Sequence, residues 1–311
     1  MKKFCKKIGL AALVTVVLLL LIIFLVPYNP KGYIREQIIK QSMLSAENRK
    51  PAIILVGGSN VAFGYDSKII CDSMNMDVVN FGLHAGFGLK YIIDDLSQYI
   101  KKGDVIIISP EYAHFFDKMA YGEKPLADIF YLTKGKFLNN LNDEQLRCVV
   151  YNTPAYIRAN IEQFITNLLL SNKNSIYQWD SFNEYGDIVA HWSKEHTGFS
   201  NPSSGRTKRS SANYDFINYF LFKLSDMESR GATIILYPPV IEETGYSNKQ
   251  PDILFVDSIM AANGRKFICP PSDVVMPKNR FFDSEYHLNR EGAKEHSLHI
   301  VEILKKYFLA N

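Results

Sequence analysis

Four short runs rich in valine and isoleucine recur along the chain, and each is followed closely by glycine or proline. The runs are apolar throughout, a pattern typical of strands buried on both faces of a parallel sheet. Segments with helical periodicity separate them, so the pattern predicts an α/β domain with helices covering both faces of the sheet. The predicted strands are residues 52–56, 78–81, 105–109 and 232–237, with a weaker fifth at 266–268.

Predicted helices fill the intervals between these strands. A last helix follows Asn289, a residue type that caps helix N-termini. The interval between the third and fourth strands is much longer, and residues 118–211 predict a mostly helical insertion. Within it, Thr153 can serve as a cap and Pro154 suits the first position of a helix. The other predicted helices cover about residues 66–74, 89–100, 213–230 and 251–263.

A long apolar segment near the N-terminus predicts a membrane anchor. Residues 8–26 contain no charge, and as a helix they would extend about 28 Å, close to the thickness of the hydrocarbon core of a bilayer. Four lysines in residues 1–7 place that end in the cytoplasm. The alternative is a cleavable signal peptide, but no small-x-small cleavage site follows. We therefore expect a single-pass protein held to membrane lipid by this helix, with residues 27–50 as a polar stem and residues 51–311 outside the cytoplasm.

Composition and charge narrow the class of protein. With 47% hydrophobic residues the chain is not intrinsically disordered. The net charge is +3, and because four lysines lie in the first seven residues the remainder is close to neutral, which argues against a nucleic-acid partner. The four cysteines are widely spaced, so no disulfide pairing is indicated. His296 and His299 have no third candidate ligand, and we expect neither a metal ion nor another cofactor.

Two segments carry residues suited to acyl chemistry. Ser59 follows the first strand in a Gly57-Gly58-Ser59-Asn60 turn, where the glycines let the backbone turn sharply and present the hydroxyl at the sheet edge. His287 precedes the last helix, and a neutral imidazole is the usual base for a serine hydroxyl. Asp283, four residues earlier, can orient that imidazole, with Glu285 as a weaker candidate. Each motif taken alone is also consistent with an ordinary turn or a packing residue.

Together these motifs resemble the SGNH (GDSL-type) hydrolases over about residues 50–308. The resemblance implies a flavodoxin-like three-layer α/β/α fold with a parallel sheet and a serine esterase or acyltransferase mechanism. It implies Ser59 as the nucleophile, His287 as the general base and Asp283 as the residue that orients His287.

The oxyanion hole that the resemblance implies is built from backbone amides, since preorganised donors stabilise the charge that develops on a carbonyl oxygen. Ser59 or Asn60 would supply one amide, and Gly82 or Gly86 in the loop after the second strand would supply another. His84 in the same loop is a candidate for substrate binding or for packing.

The sequence departs from the family pattern in two places. The Asp/His pair is usually three residues apart, whereas Asp283 and His287 are four apart. The loop after the third strand carries Glu111 where the family has an oxyanion-binding asparagine. An ionised Glu111 would repel the oxyanion, so it could donate only if burial kept it protonated. Alternatively Tyr112 donates, or Glu111 binds a substrate hydroxyl.

These observations predict an anchored extracytoplasmic serine esterase or O-acyltransferase that acts on acylated envelope carbohydrate or another ester. Membrane-anchored relatives of this type take part in O-acylation of envelope polysaccharides, so the resemblance implies a multi-spanning membrane acyltransferase as a partner. The competing hypothesis is a non-catalytic scaffold or carbohydrate-binding protein that has kept the fold. Glu111 is the feature that favours it.

Overall fold

The computed structural model of the protein describes residues 2–25, 32–169, 176–194 and 211–310. Two parts of the predicted insertion, residues 170–175 and 195–210, lie outside these ranges, as does Val26 at the end of the predicted anchor. The α-helices within the described ranges are α1 (Lys2–Leu25), α2 (Glu36–Ser45), α3 (Ser59–Ala62), α4 (Ser67–Met74), α5 (Leu89–Ser97), α6 (Lys124–Leu132), α7 (Asp143–Leu169), α8 (Tyr214–Ser229), α9 (Glu243–Ala262) and α10 (Arg290–Ala310). The strands are β1 (Ala52–Gly57), β2 (Asp77–Asn80), β3 (Val105–Ser109), β4 (Thr233–Leu236), β5 (Ile241–Glu242) and β6 (Val275–Met276).

The central sheet contains β1 to β4, in the order β2-β1-β3-β4, and all of its strands are parallel. The prediction of a parallel sheet with intervening helices is confirmed. The prediction of a fifth strand at residues 266–268 is wrong, because that segment makes a single backbone hydrogen bond to the sheet, from Ile268 N–H to Leu236 O at 2.8 Å. A separate parallel pair, β5 and β6, follows instead.

Side chains that alternate along β1 enter two different cores. Ile54 and Val56 are fully buried on one face, in a core shared with α5, α8 and α9. Ile53 and Leu55 are fully buried on the other face, in a core shared with α4 and α10. Helices therefore cover both faces of the sheet, an arrangement compatible with a three-layer α/β/α fold.

The long helix of the insertion begins earlier than the sequence pattern predicts. Asn142 and Gln145 form reciprocal side chain to backbone hydrogen bonds at the start of α7, an arrangement known as a capping box. Thr153 is therefore not a cap, and its hydroxyl donates to Val149 O at 2.9 Å within the helix. Pro154 lies in the interior of α7, where it removes one backbone hydrogen bond without ending the helix.

The N-terminal helix α1 covers most of the predicted anchor, and its described side chains are exposed. A search of the described residues finds no helix that is both long and apolar enough to cross a membrane. The assignment of residues 8–26 as a membrane anchor stays a prediction.

The second half of the predicted stem packs into the domain. Lys40 on α2 is buried completely, and its ammonium group donates to Gly82 O and to Gly186 O, the latter at 2.8 Å. Gln37 and Gln41 on the same helix donate to the buried Asp95 carboxylate at 2.9 and 2.8 Å. Residues 32–45 are thereby part of the folded unit, and Lys40 connects them to the loop that follows β2.

Candidate active site

Three loops at the carboxyl edge of the sheet meet at Gly58. A Cβ atom built on Gly58 would lie 2.7 Å from Glu111 Oε1, in the loop after β3, and 2.9 Å from Cα of Ala85, in the loop after β2. No side chain fits in that space, which explains the glycine immediately before Ser59. The parallel strands thus bring the three predicted loops together at one edge of the sheet.

Ser59 is the first residue of α3 and is partly exposed. Its backbone N–H has no acceptor among the described residues, and its carbonyl accepts from Phe63 N–H at 3.0 Å. Phe63 consequently follows Ser59 by one helical turn. Ser59 therefore presents both a hydroxyl and an unpaired amide at this edge.

His287 and Asp283 lie in a loop that returns on itself before α10. Phe281 and Leu288 pair at the base of the loop, and Phe282 N–H donates to His287 O at 2.8 Å. This curvature brings the side chains together despite the spacing of four residues, and Nδ1–H of His287 donates to Asp283 Oδ1 at 2.7 Å. The bond to Nδ1 leaves Nε2 of the imidazole to act as the base.

Tyr177, in the insertion, completes the environment of Asp283 and was missed by the sequence analysis. Its hydroxyl donates to Asp283 Oδ2 at 2.7 Å. Burial raises the pKa of Asp283, but the hydrogen bonds from His287 and Tyr177 and the charge of His287 outweigh burial and hold the pKa below its usual range. Asp283 therefore stays ionised, as an orienting carboxylate must.

Phe63 joins the two halves of the candidate site. Its ring stacks on the His287 imidazole with a centroid separation of 4.1 Å and an angle of 8° between planes. His287 thus lies against the residue that follows Ser59 by one turn. No hydrogen bond joins Ser59 to His287 among the described residues, whereas the sequence-based mechanism requires one during the reaction. Catalytic contacts are often loose in the absence of substrate.

Several donors that the family resemblance implies are occupied by other groups. Gly82 N–H donates to the Asn80 side chain at 3.0 Å, and Gly86 N–H donates to His84 Nδ1 at 2.8 Å. The side chain of Asn60 donates to Ser109 O at 3.0 Å and accepts from Gly58 N–H at 3.0 Å. The amides of Gly82 and Gly86 are therefore not free to bind an oxyanion in this conformation. Ser59 N–H, by contrast, has no acceptor among the described residues.

Glu111, in the loop after β3, lies beside the turn that precedes Ser59. Burial raises the pKa of Glu111 to about 7, while the nearby charge of Lys249 and the Asn60 N–H oppose the increase. Its buried Oε1 has no hydrogen-bond partner among the described residues. Lys249 forms an ion pair with Glu285, so its charge is shared between Glu285 and Glu111. Because Glu285 is paired with Lys249, it does not orient His287.

Tyr112 is 2% exposed and packs in the core beside Phe267, with a ring separation of 6.5 Å. Glu111, the residue before it, faces the turn that precedes Ser59. Donation from Tyr112 to an oxyanion stays a prediction.

The two histidines considered above as metal ligands, His296 and His299, are bonded to other groups of the fold. His296 Nδ1 binds Gly64 O at 2.8 Å, and His299 Nδ1 binds the Tyr237 hydroxyl at 3.0 Å. Asp187 is buried and accepts from Ser67 and Asn80, so it attaches the insertion to the core. Among the described residues no group of three or more histidine, cysteine or acidic side chains could hold a metal ion.

Comparisons with known proteins give little to set beside this geometry. No family model matches the chain, and no curated protein matches it. One solved structure with a weak likeness to this chain is "The structure of a putative platelet activating factor from Streptococcus pneumonia". It is 11% identical, its match covers 62% of this chain and 90% of that chain, and the TM-score is 0.23. A likeness at this level supports no conclusion about fold or function.

Proposed function

We propose that the protein is a serine-dependent carboxylic ester hydrolase or O-acyltransferase that works through an acyl-Ser59 intermediate. The hydrogen-bonded pair of Asp283 and His287 supports this proposal, because the His287 ring stacks on Phe63, one helical turn from Ser59. A serine, an imidazole and a carboxylate in that relation are the parts that acyl transfer needs.

The course of the reaction follows from which ring nitrogen of His287 carries the proton. Since Nδ1–H is bound to Asp283, the lone pair of Nε2 accepts the Ser59 proton as Oγ forms a bond to the acyl carbon. The π electrons of the carbonyl move onto its oxygen, where the Ser59 N–H can stabilise the charge. The intermediate then expels the alcohol, which takes the proton from His287, and acyl-Ser59 remains. Water completes hydrolysis, or a sugar hydroxyl completes transfer, with His287 again acting as base.

The natural substrate that we propose is an acylated carbohydrate of the cell envelope. This part rests on the resemblance of the sequence motifs to SGNH hydrolases and on the apolar residues 8–26, which favour attachment to a membrane with the domain outside the cytoplasm. In a transferase, a multi-spanning membrane acyltransferase would supply the acyl group.

A second candidate is a non-catalytic binding protein with the same fold. Glu111 favours it, because its Oε1 lies beside the turn that precedes Ser59, and an ionised carboxylate there would repel an oxyanion. An inert protein would keep the Asp283 and His287 pair as a packing feature only.

A fluorophosphonate probe distinguishes the two candidates. Wild-type protein should be labelled covalently, Ser59→Ala should not be labelled, and the exposed control Ser247→Ala on α9 should behave as wild type. His287→Ala should slow labelling by about 10²-fold or more, since the base is lost. Failure of the wild type to react would overturn the enzyme proposal and favour the binding protein.

A further inference from the structure

The described structure leaves the candidate oxyanion hole one donor short. Ser59 N–H is open, but the amides of Gly82 and Gly86 are paired with protein acceptors. Loss of a single oxyanion donor typically costs about 10²–10³ in rate. An active enzyme with this site needs a further donor near Ser59.

The tautomer of the His84 imidazole is set by its hydrogen bond to Gly86. Gly86 N–H donates to Nδ1 at 2.8 Å, so Nδ1 must carry a lone pair and the proton of the neutral ring must be on Nε2. Burial, together with the charges of His287 and Lys124, lowers the pKa of His84 to about 4 and keeps the ring neutral at pH 7. Nε2 is not buried and has no partner among the described residues. The ring therefore offers one N–H with nothing to bind.

His84 also lies close to the other members of the site. The next residue, Ala85, contacts Gly58, which directly precedes Ser59. The Tyr33 ring that stacks on His84 also contacts the Tyr177 ring, with a centroid separation of 5.6 Å, and the Tyr177 hydroxyl donates to Asp283. The orientation of the His84 ring is held by the Gly86 bond and by stacking on Tyr33 with a centroid separation of 5.8 Å. A donor held in this way needs no reorganisation when charge develops.

We propose that Nε2–H of His84 donates a hydrogen bond to the carbonyl oxygen of the bound acyl group and to the oxyanion formed from it. This inference rests on the proposed function. The proton stays on His84 throughout, because the oxyanion is stabilised without being protonated and its electron pair re-forms the carbonyl when the alcohol leaves. His84 thus acts as a neutral electrophile where the third loop carries Glu111 instead of an amide.

Two substitutions separate donation to substrate from a role in loop packing. In His84→Asn, Oδ1 can replace Nδ1 as the acceptor for Gly86, but no group reaches the position of Nε2. In His84→Gln, the amide nitrogen reaches the position of Nε2, and the acceptor for Gly86 is lost. With p-nitrophenyl acetate as the probe, His84→Asn should lose about 10²–10³ in kcat with KM changed little. His84→Gln should recover at least tenfold of that loss.

The opposite order, with the Asn variant faster than the Gln variant, would overturn the proposal in favour of a packing role, and equal rates in the two variants would overturn it as well. Nitrogen-15 NMR of wild-type His84 gives a test that requires no variant: Nε2–H should persist at pH 6, and an Nδ1–H tautomer would contradict the proposal. Fluorophosphonate labelling of wild type checks the underlying function separately. Labelling at Ser59 with no effect of His84→Asn on turnover refutes only this inference.

Discussion

The hydroxyl of Tyr177 and the carboxylate of Asp283 are joined by a 2.7 Å hydrogen bond on the oxygen that His287 does not use. Asp283 is therefore held at both oxygens, by residues that lie four and 106 positions away in the sequence. The insertion is thereby connected to the proposed catalytic pair, and the orientation of His287 depends on it.

Tyr177→Phe should lower kcat/KM by about tenfold, since a hydrogen bond to a charged group contributes about 1.5–3 kcal/mol. The pKa of Asp283 should return toward its usual range without the Tyr177 donor, so activity should be lost at a higher pH on acidification. A pH–rate profile measures both effects. Tyr131→Phe is the matched control, because it removes a hydroxyl that contacts Thr153 at 2.6 Å, away from the proposed site. An unchanged profile in Tyr177→Phe would contradict the role of this bond.

Glu111→Gln should raise the esterase rate at pH 8 by about tenfold. At that pH the wild-type carboxyl, with its pKa raised to about 7 by burial, is mostly ionised and repels the oxyanion. The neutral amide removes the repulsion and can donate in its place. The exposed Glu243→Gln is a control of the same chemistry. A slower Glu111→Gln enzyme at pH 8 would show instead that the carboxylate assists, as it would if it bound a substrate hydroxyl.

Stability should also depend on the ionisation of Glu111. Its pKa is raised from 4.5 in an exposed state to about 7 in the folded protein, so the stability it contributes is complete below pH 4.5 and is lost as the pH rises through 7. Glu111→Gln should therefore match wild type near pH 4.5 and exceed it above pH 7, by on the order of 3 kcal/mol. Urea unfolding at both pH values measures the difference. A constant difference across this range would contradict the assignment.

Arg49→Ala should destabilise the protein by about 3 kcal/mol, because it leaves the buried Asp104 carboxylate without its ionic partner. The two side chains are joined by two hydrogen bonds of 2.7 and 2.8 Å, and Asp104 also accepts from the first backbone N–H of β1. Denaturant unfolding measures the loss. Arg158→Ala, which breaks an exposed pair with Glu162, should leave stability unchanged within error. Equal effects of the two substitutions would refute this account.

The parallel sheet could be predicted because its signal is local. Every residue from Ile53 to Val56 is apolar, and the structure buries alternate members of this run in two separate cores. Residues 266–268 include two apolar residues, Phe267 and Ile268, but follow a turn, and only Ile268 bonds to β4. Hydrophobic pattern alone cannot distinguish these cases, because pairing is decided by the connections on either side.

The site was predicted less completely than the fold. Ser59, His287 and Asp283 were selected from residue types and order, and the structure brings all three to one edge of the sheet. Tyr177 has no local signal, since only the folded insertion places it beside Asp283. The pairing of the Gly82 and Gly86 amides, by contrast, has a local signal in the sequence.

The missed signal for the amides is a spacing of two residues. Asn80 precedes Gly82 by two positions, and His84 precedes Gly86 by two, the spacing at which a short polar side chain accepts from a backbone N–H. A polar side chain two positions before a glycine therefore argues, from sequence alone, against a free amide at that glycine.

The contact between Lys40 and Gly82 has a consequence for where this protein can be cut. Removal of residues 1–50, up to the domain boundary expected from the sequence, would remove Lys40, which binds the carbonyls of Gly82 and Gly186. It would also remove Gln37 and Gln41, whose side-chain amides bind Asp95. A truncated version that begins before residue 32 retains all of these partners. A displacement of the N-terminal segment would act through Lys40 on Gly82, which lies two residues before His84.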